Sequence, residues 1–230
     1  PLGGGGGVAC RDLSVEWAKT HRVDVLTSSF ASLPAFENSE GVNIHRVKIF
    51  FRKSRDSASF LSMFTYLPAA LIRGFSLIRK NRYDVINTHF AVPSGPVGFI
   101  LGRMFHVPNI LSLHGGDIYD PSKKLSPHKN LVFRFIVRFI LKNADAILSN
   151  SSNTRDNAIK YYNPGKDITI IPIAFNPPQA ITGRRSDYRI GKNDFVVTTL
   201  GRLVKRKSIN TLIQALHEIP NPRLRLLIAG

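Results

Sequence analysis

Four short stretches of this 230-residue chain carry the residue types that bind anions, move protons or hold hydroxyl groups. In Ser112-Leu113-His114-Gly115-Gly116-Asp117 an imidazole, which titrates near neutral pH, stands beside glycines that let a ligand approach the backbone. His114 is therefore a candidate to hydrogen-bond a hydroxyl or share a proton, and its plain alternative is a histidine that caps a loop. His89, ahead of Phe90-Ala91-Val92-Pro93-Ser94-Gly95, is a second candidate, with a core histidine as the alternative. Gly3 to Gly7 run into the apolar start of a helix at Val8, an arrangement in which backbone N–H groups and the helix dipole attract phosphate. A flexible glycine linker is the competing reading. In Leu200-Gly201-Arg202-Leu203-Val204-Lys205-Arg206-Lys207 the guanidinium of Arg202 offers a fork for two phosphate oxygens, and Lys207 adds a mobile positive charge. A basic loop is often a solvated surface, but cations beside a helix N-terminus repel its dipole unless an anion lies between them.

Other chemistries lack their residues. The seven histidines are dispersed, with no His-Glu-x-x-His helix and no tight run of metal ligands, so no metal is expected. There is no Asp-x-Asp pair, no Gly-x-Ser-x-Gly elbow and no Walker loop. The strand after the first helix ends Leu26-Thr27-Ser28-Ser29, without the acid that would hold a nicotinamide ribose. No cofactor is expected.

The elements that must position these residues alternate. Short, branched runs at 22–27, 42–49, 84–88, 109–113, 144–149 and 168–171 read as strands. Helix-length patterns at 8–20, 60–81, 95–105, 128–143 and 151–162 lie between them. Such alternation predicts an α/β fold, a Rossmann-like and mainly parallel sheet with helices on both faces. His89 and His114 then fall at the carboxyl ends of strands, where ligands gather in parallel sheets. We read 1–175 as one domain whose first strand is missing, 176–192 as a Pro- and Gly-containing linker, and 193–230 as the beginning of a second Rossmann-like domain. Two strands and a helix cannot bury a core alone, so the chain is expected to be a fragment.

Composition narrows the partners. There are 32 basic and 15 acidic side chains, a formal charge of +17, which points to an anionic partner. The excess is scattered and lacks the aromatic platforms of a single-strand binder, so lipid or phosphate is favoured over nucleic acid. One cysteine excludes a disulfide framework and suits a reducing compartment. Arginines interrupt every apolar stretch, and the start lacks a secretory signal pattern, so a cytoplasmic location is expected, peripheral at the inner face of the membrane. Two segments fit such docking. Leu131 to Lys142 sets Arg134, Arg138 and Lys142 four apart on an apolar helix, and Phe60 to Arg82 mixes Phe, Leu, Arg and Lys. The alternative for each is a core-facing helix with a wet side.

Taken together, the glycine run, the strand His21 to Val25, Ser112 to Asp117 and Gly201-Arg202-Leu203 with Lys207 resemble glycosyltransferase family 4, retaining enzymes of the GT-B fold. The resemblance implies that the first domain binds the acceptor and the second grips a nucleotide-diphosphate sugar, with no metal. It implies that Arg202, Lys207, Gly5 and Gly6 contact the diphosphate, that His114 contacts the transferred sugar, and that residues 1–230 alone are inactive. His89 and Asp117 are the acceptor-side candidates. The implied reaction transfers a sugar with retention to a glycan or lipid-linked acceptor, in polysaccharide or glycolipid synthesis. A non-catalytic basic module that binds anionic lipid or glycan is the alternative. The chain departs from the family pattern at Ser208, where glycine is common, and at Ile171-Pro172-Ile173-Ala174-Phe175-Asn176. The family's paired glutamates have no counterpart before Gly230.

Overall fold

The computed structural model describes residues 5–51, 60–121, 125–173, 183–201, 203–204 and 207–230. Contacts divide the chain into two units, Pro1–Phe175 and Asn176–Gly230. Each is α/β with parallel strands, the class that the alternating pattern predicts.

In the first unit, α1 (Gly5–Ala18) leads into β1 (Val23–Ser28), which pairs in parallel with β3 (Val42–Val47), Val25 opposite Ile44. Between them in sequence lies β2 (Phe36–Ser39), antiparallel to β3. The sequence pattern misses β2 because Phe36-Glu37-Asn38-Ser39 holds no β-branched residue. Its signal is the turn: Glu40 and Gly41 both take positive φ, 51° and 82°, as a two-residue hairpin loop requires.

A long helix, α2 (Phe60–Lys80), precedes a four-stranded parallel sheet in the order β4 (Ile86–His89), β5 (Asn109–Leu113), β6 (Ala146–Ser149), β7 (Thr169–Ile170). The crossovers are α3 (Gly95–Phe105), α4 (Leu131–Asn143) and α5 (Ser152–Tyr162), the helical connections that parallel neighbours need. Side-chain caps fix the starts of α4 and α5. Asn130 accepts hydrogen bonds from the N–H groups of Val132 and Phe133, so α4 begins at Leu131 and not at His128 as the periodicity suggests. Ser151 caps α5 in the same way, through the Thr154 N–H.

Two apolar clusters hold this unit. Leu111 and Leu113 of β5 and Ile147 of β6 pack with Val137, Ile140 and Leu141 of α4, and each fully buried side chain contributes roughly 1.5–3 kcal/mol. Tyr66 and Ala70 of α2 pack against Val97 and Leu101 of α3. A polar chain ties α2 to the first sheet. Arg73 can only donate, so its bond to Nδ1 of His45 (2.9 Å) makes that nitrogen the acceptor, and Nε2 then donates to Asp24 (2.8 Å). Burial works to raise the Asp24 pKa, but the His45 hydrogen bond and the Arg22 charge outweigh it and hold the carboxylate low.

In the second unit, β8 (Phe195–Leu200) pairs in parallel with β9 (Leu224–Ala229), Val197 opposite Leu226, and α6 (Ile209–His217) connects them. Arg185–Tyr188, inside the segment read as linker, forms a 3-10 turn. Among the described residues no helix is long and apolar enough to cross a membrane.

Candidate active site

β4 and β5 run side by side with His89 opposite Ser112, so their carboxyl ends open at the same level. His89 closes β4, and His114 follows β5 by one residue. Their rings meet: Nδ1 of His89 lies 3.0 Å from Nε2 of His114. One proton bridges the two nitrogens, because a pair of neutral imidazoles at this separation needs one donor and one acceptor. Both rings are held neutral. Burial, and then the neighbouring His114, lower the His89 pKa to about 4. Burial lowers that of His114, while the Asp117 charge pulls the other way.

The backbone around the pair is shaped for this contact. Phe90 takes φ 74°, its N–H donates to the Ser112 carbonyl (3.0 Å), and its ring stacks on His114 with centroids 4.4 Å apart. Gly115 takes φ 89°, and a Cβ there would stand 3.2 Å from Thr154 Oγ1. Glycine is the residue that turns the chain there without strain.

Asp117, a candidate for the acceptor side, is buried at 7% exposure. One of its oxygens accepts from the Ala91 N–H (2.8 Å) and the other from the His114 N–H (3.0 Å). It clamps the loop after β4 to the loop after β5. Burial raises its pKa, and the amide of Ala91 and the neighbouring His114 oppose the rise. Both of its carboxylate oxygens are thus engaged by backbone N–H groups beside His114.

The glycine run lies against the same pair. Sequence reading expects a loop through Gly7; instead the helix already includes Gly5, Gly6 and Gly7, so these glycines form its first turn. Gly3 and Gly4 lie outside the described residues. Close packing accounts for Gly6, where a Cβ would stand 2.7 Å from Cζ of Phe90 and 3.6 Å from Nδ1 of His114, but not for Gly5, where a Cβ would meet nothing within 4 Å. That Nδ1 is buried and has no hydrogen-bond partner among the described residues. Such an orphan costs about 1–3 kcal/mol unless a ligand answers it. Four residues beyond Gly6, Cys10 reaches the same place, and one donor atom each from Cys10, His89 and His114 lie within 4.8 Å of one another. Sequence spacing, which gives no tight group of metal ligands, misses this trio because its members come from three separate elements. Burial pushes the Cys10 thiol up to about 12, so it is no thiolate nucleophile at neutral pH. Sequence reasoning also does not single out Phe90; within α1 the i, i+4 spacing of Gly6 and Cys10 is a legible signal that they share one face.

In the second unit, Lys207 is exposed just ahead of α6, with its N–H donating to the Val204 carbonyl (2.9 Å) and its Cε near Gly201. Ser208 takes φ 52° at the N-cap without a side-chain cap, a left-handed conformation that glycine adopts at no cost. Arg202 lies outside the described residues.

Residues 3–177 match the family model for Glycosyltransferase Family 4. The chain belongs to that family. Among curated family relatives it is 26% identical, over 99% of its length, to the uncharacterized glycosyltransferase MJ1607 of Methanocaldococcus jannaschii, and covers 59% of that protein. It is 21% identical to the alpha-monoglucosyldiacylglycerol synthase of Acholeplasma laidlawii, over 71% of the chain and 48% of the relative. The fold is like that of sucrose-phosphate synthase from Thermosynechococcus elongatus, a GT-B structure, with TM-score 0.78 and 22% identity over 99% of this chain and 57% of that one. The chain thus spans about half the length of the proteins it resembles, between 48% and 59% of each of these three, and for this family-4 chain the resemblance drawn from its motifs holds at the level of family and fold.

Proposed function

We propose that this chain forms the acceptor side and the opening of the donor side of a retaining glycosyltransferase that uses a nucleotide-diphosphate sugar. The observation that carries the reading is the orphaned Nδ1 of His114, buried between the stacked ring of Phe90 and the side-chain-free turn at Gly6. A hydroxyl of the transferred sugar satisfies that nitrogen. The N–H groups of the first turn of α1, at Gly5 and Gly6, meet the diphosphate, where the helix dipole favours negative charge. Arg202 and Lys207 neutralise the charge that develops on the departing diphosphate, so the reaction needs no metal. His89 fixes the His114 ring and lines the acceptor side, while Asp117 holds the His114 backbone. As the bond to the diphosphate breaks, the anomeric carbon becomes cation-like, and the acceptor hydroxyl attacks from the face the diphosphate leaves.

The acceptor is a glycan or another lipid-linked acceptor, and the product belongs to polysaccharide or glycolipid synthesis at the inner face of the cell membrane. One surface favours a membrane location. The outer side of α4 exposes Leu131, Val132, Phe135 and Phe139 beside Arg138 and Lys142, an apolar and basic combination suited to anionic headgroups. A basic lipid-binding module without catalysis is the second reading that this surface supports.

Two experiments separate the readings. The full genomic reading frame, incubated with a panel of nucleotide sugars and a chelator, should release nucleoside diphosphate; release that stops with the chelator contradicts the metal-free reaction. Sedimentation with vesicles at low salt should recover the protein on anionic and not on neutral bilayers. Equally poor recovery on both removes the membrane proposal and leaves the transferase reading standing.

A further inference from the structure

We propose that Cys10, His89 and His114 form a binding site for a single Zn2+ ion. The three donors come from different elements: Cys10 from the second turn of α1, His89 from the end of β4 and His114 from the residue after β5. One donor atom of each lies within 4.8 Å of the others, and the two imidazole nitrogens of the hydrogen-bonded pair are already 3.0 Å apart. Four-coordinate zinc, with bonds of about 2.3 Å to sulfur and about 2.0–2.1 Å to nitrogen, holds its donors roughly 3.3–3.7 Å from one another. Side-chain rotation of about 1 Å therefore closes the trio around an ion, which takes the place of the proton now shared by the two rings.

The donor set selects the metal. A thiolate with two imidazoles suits Zn2+ and its spectroscopic substitute Co2+, and excludes Mg2+ and Ca2+, which demand oxygen. Cys10 is a free thiol. Three protein donors leave a fourth position for water, the pattern of an open site rather than a structural one. The consequence rests on the reading of His114 as the sugar contact: closing the trio on Nε2 turns the ring and carries its Nδ1 away from the sugar hydroxyl, so Zn2+ slows transfer and is no cofactor.

Cobalt titration of the full chain tests the site. Because Cys10 is the sole cysteine, a near-ultraviolet thiolate-to-cobalt band can arise nowhere else in the molecule, whatever the other histidines bind. We expect that band, with the intense visible absorption of tetrahedral cobalt, to saturate at one ion per chain and to vanish when Zn2+ is added. Cys10→Ser should abolish the band and weaken Zn2+ at least tenfold, with an unchanged melting temperature. His89→Gln, tested alongside, should keep a thiolate band but lose the tetrahedral spectrum and bind at least tenfold more weakly. No band in the wild-type chain, or equal Zn2+ affinity in Cys10→Ser, overturns the site. Zinc that binds with the expected spectrum yet leaves transfer by the full genomic reading frame untouched would instead refute the role given to His114.

Discussion

Nδ1 of His89 stands 3.0 Å from Nε2 of His114 across the carboxyl ends of neighbouring parallel strands. Neither ring can take a second proton without placing a positive charge against its partner in a largely dehydrated pocket. The pair is thus fixed in its neutral form. The bond that orients His114 leaves its other nitrogen turned toward the glycine turn of α1. The charge and direction of one imidazole are set together by three elements.

This relationship makes stability depend on pH. Burial, reinforced by His114, drops the His89 pKa from 6.5 to about 4. Above the higher value the ring is neutral in folded and unfolded chains alike. Between the two values the unfolded chain takes a proton that the fold refuses, so stability falls as pH falls, by on the order of 3 kcal/mol across the window. Urea unfolding followed from about pH 7 to about pH 4.5 should display that loss, and His89→Gln should flatten it. An unaltered slope in the variant would contradict the assignment.

Gly6 should separate stability from function. Alanine gains roughly 1 kcal/mol of helix propensity over glycine, while its Cβ, 2.7 Å from Phe90 Cζ, displaces a ring edge rather than backbone. Gly6→Ala is expected to shift stability by no more than about 1 kcal/mol. Turnover should fall at least tenfold, because the displaced ring is the one stacked on His114. Circular-dichroism melts and initial rates on the same preparation check both halves.

Arg202 is assigned from its motif to the leaving diphosphate. Arg202→Ala should lower kcat by roughly 10²–10³, as loss of a transition-state donor does, with acceptor KM little changed. Steady-state kinetics decides the matter: an unchanged kcat with a raised donor KM means that Arg202 only binds the ground state.

Much of the fold was readable because each strand that builds the site is short and branched. Asn109–Leu113 and Gly95–Phe105 fall where their patterns end. β2 was not, since its Phe-Glu-Asn-Ser stretch pairs through a positive-φ turn and not through propensity. His89 and His114 were legible as strand-end residues, but their contact was not, because it depends on which strands are neighbours. Asp117 looked like a polar ligand group beside glycines, and only the backbone shows both its oxygens already taken. Cys10 gave no signal alone. Its meaning comes from the helix that carries it past two histidines distant in sequence.

The most direct measurement is a mass-spectrometric donor screen on the full genomic reading frame, run in parallel with His114→Ala. The account predicts a glycosylated product from one nucleotide sugar with the wild type, and a loss of at least 10²-fold in its rate with the variant while the melting temperature holds. Product formed at the wild-type rate by His114→Ala would contradict it.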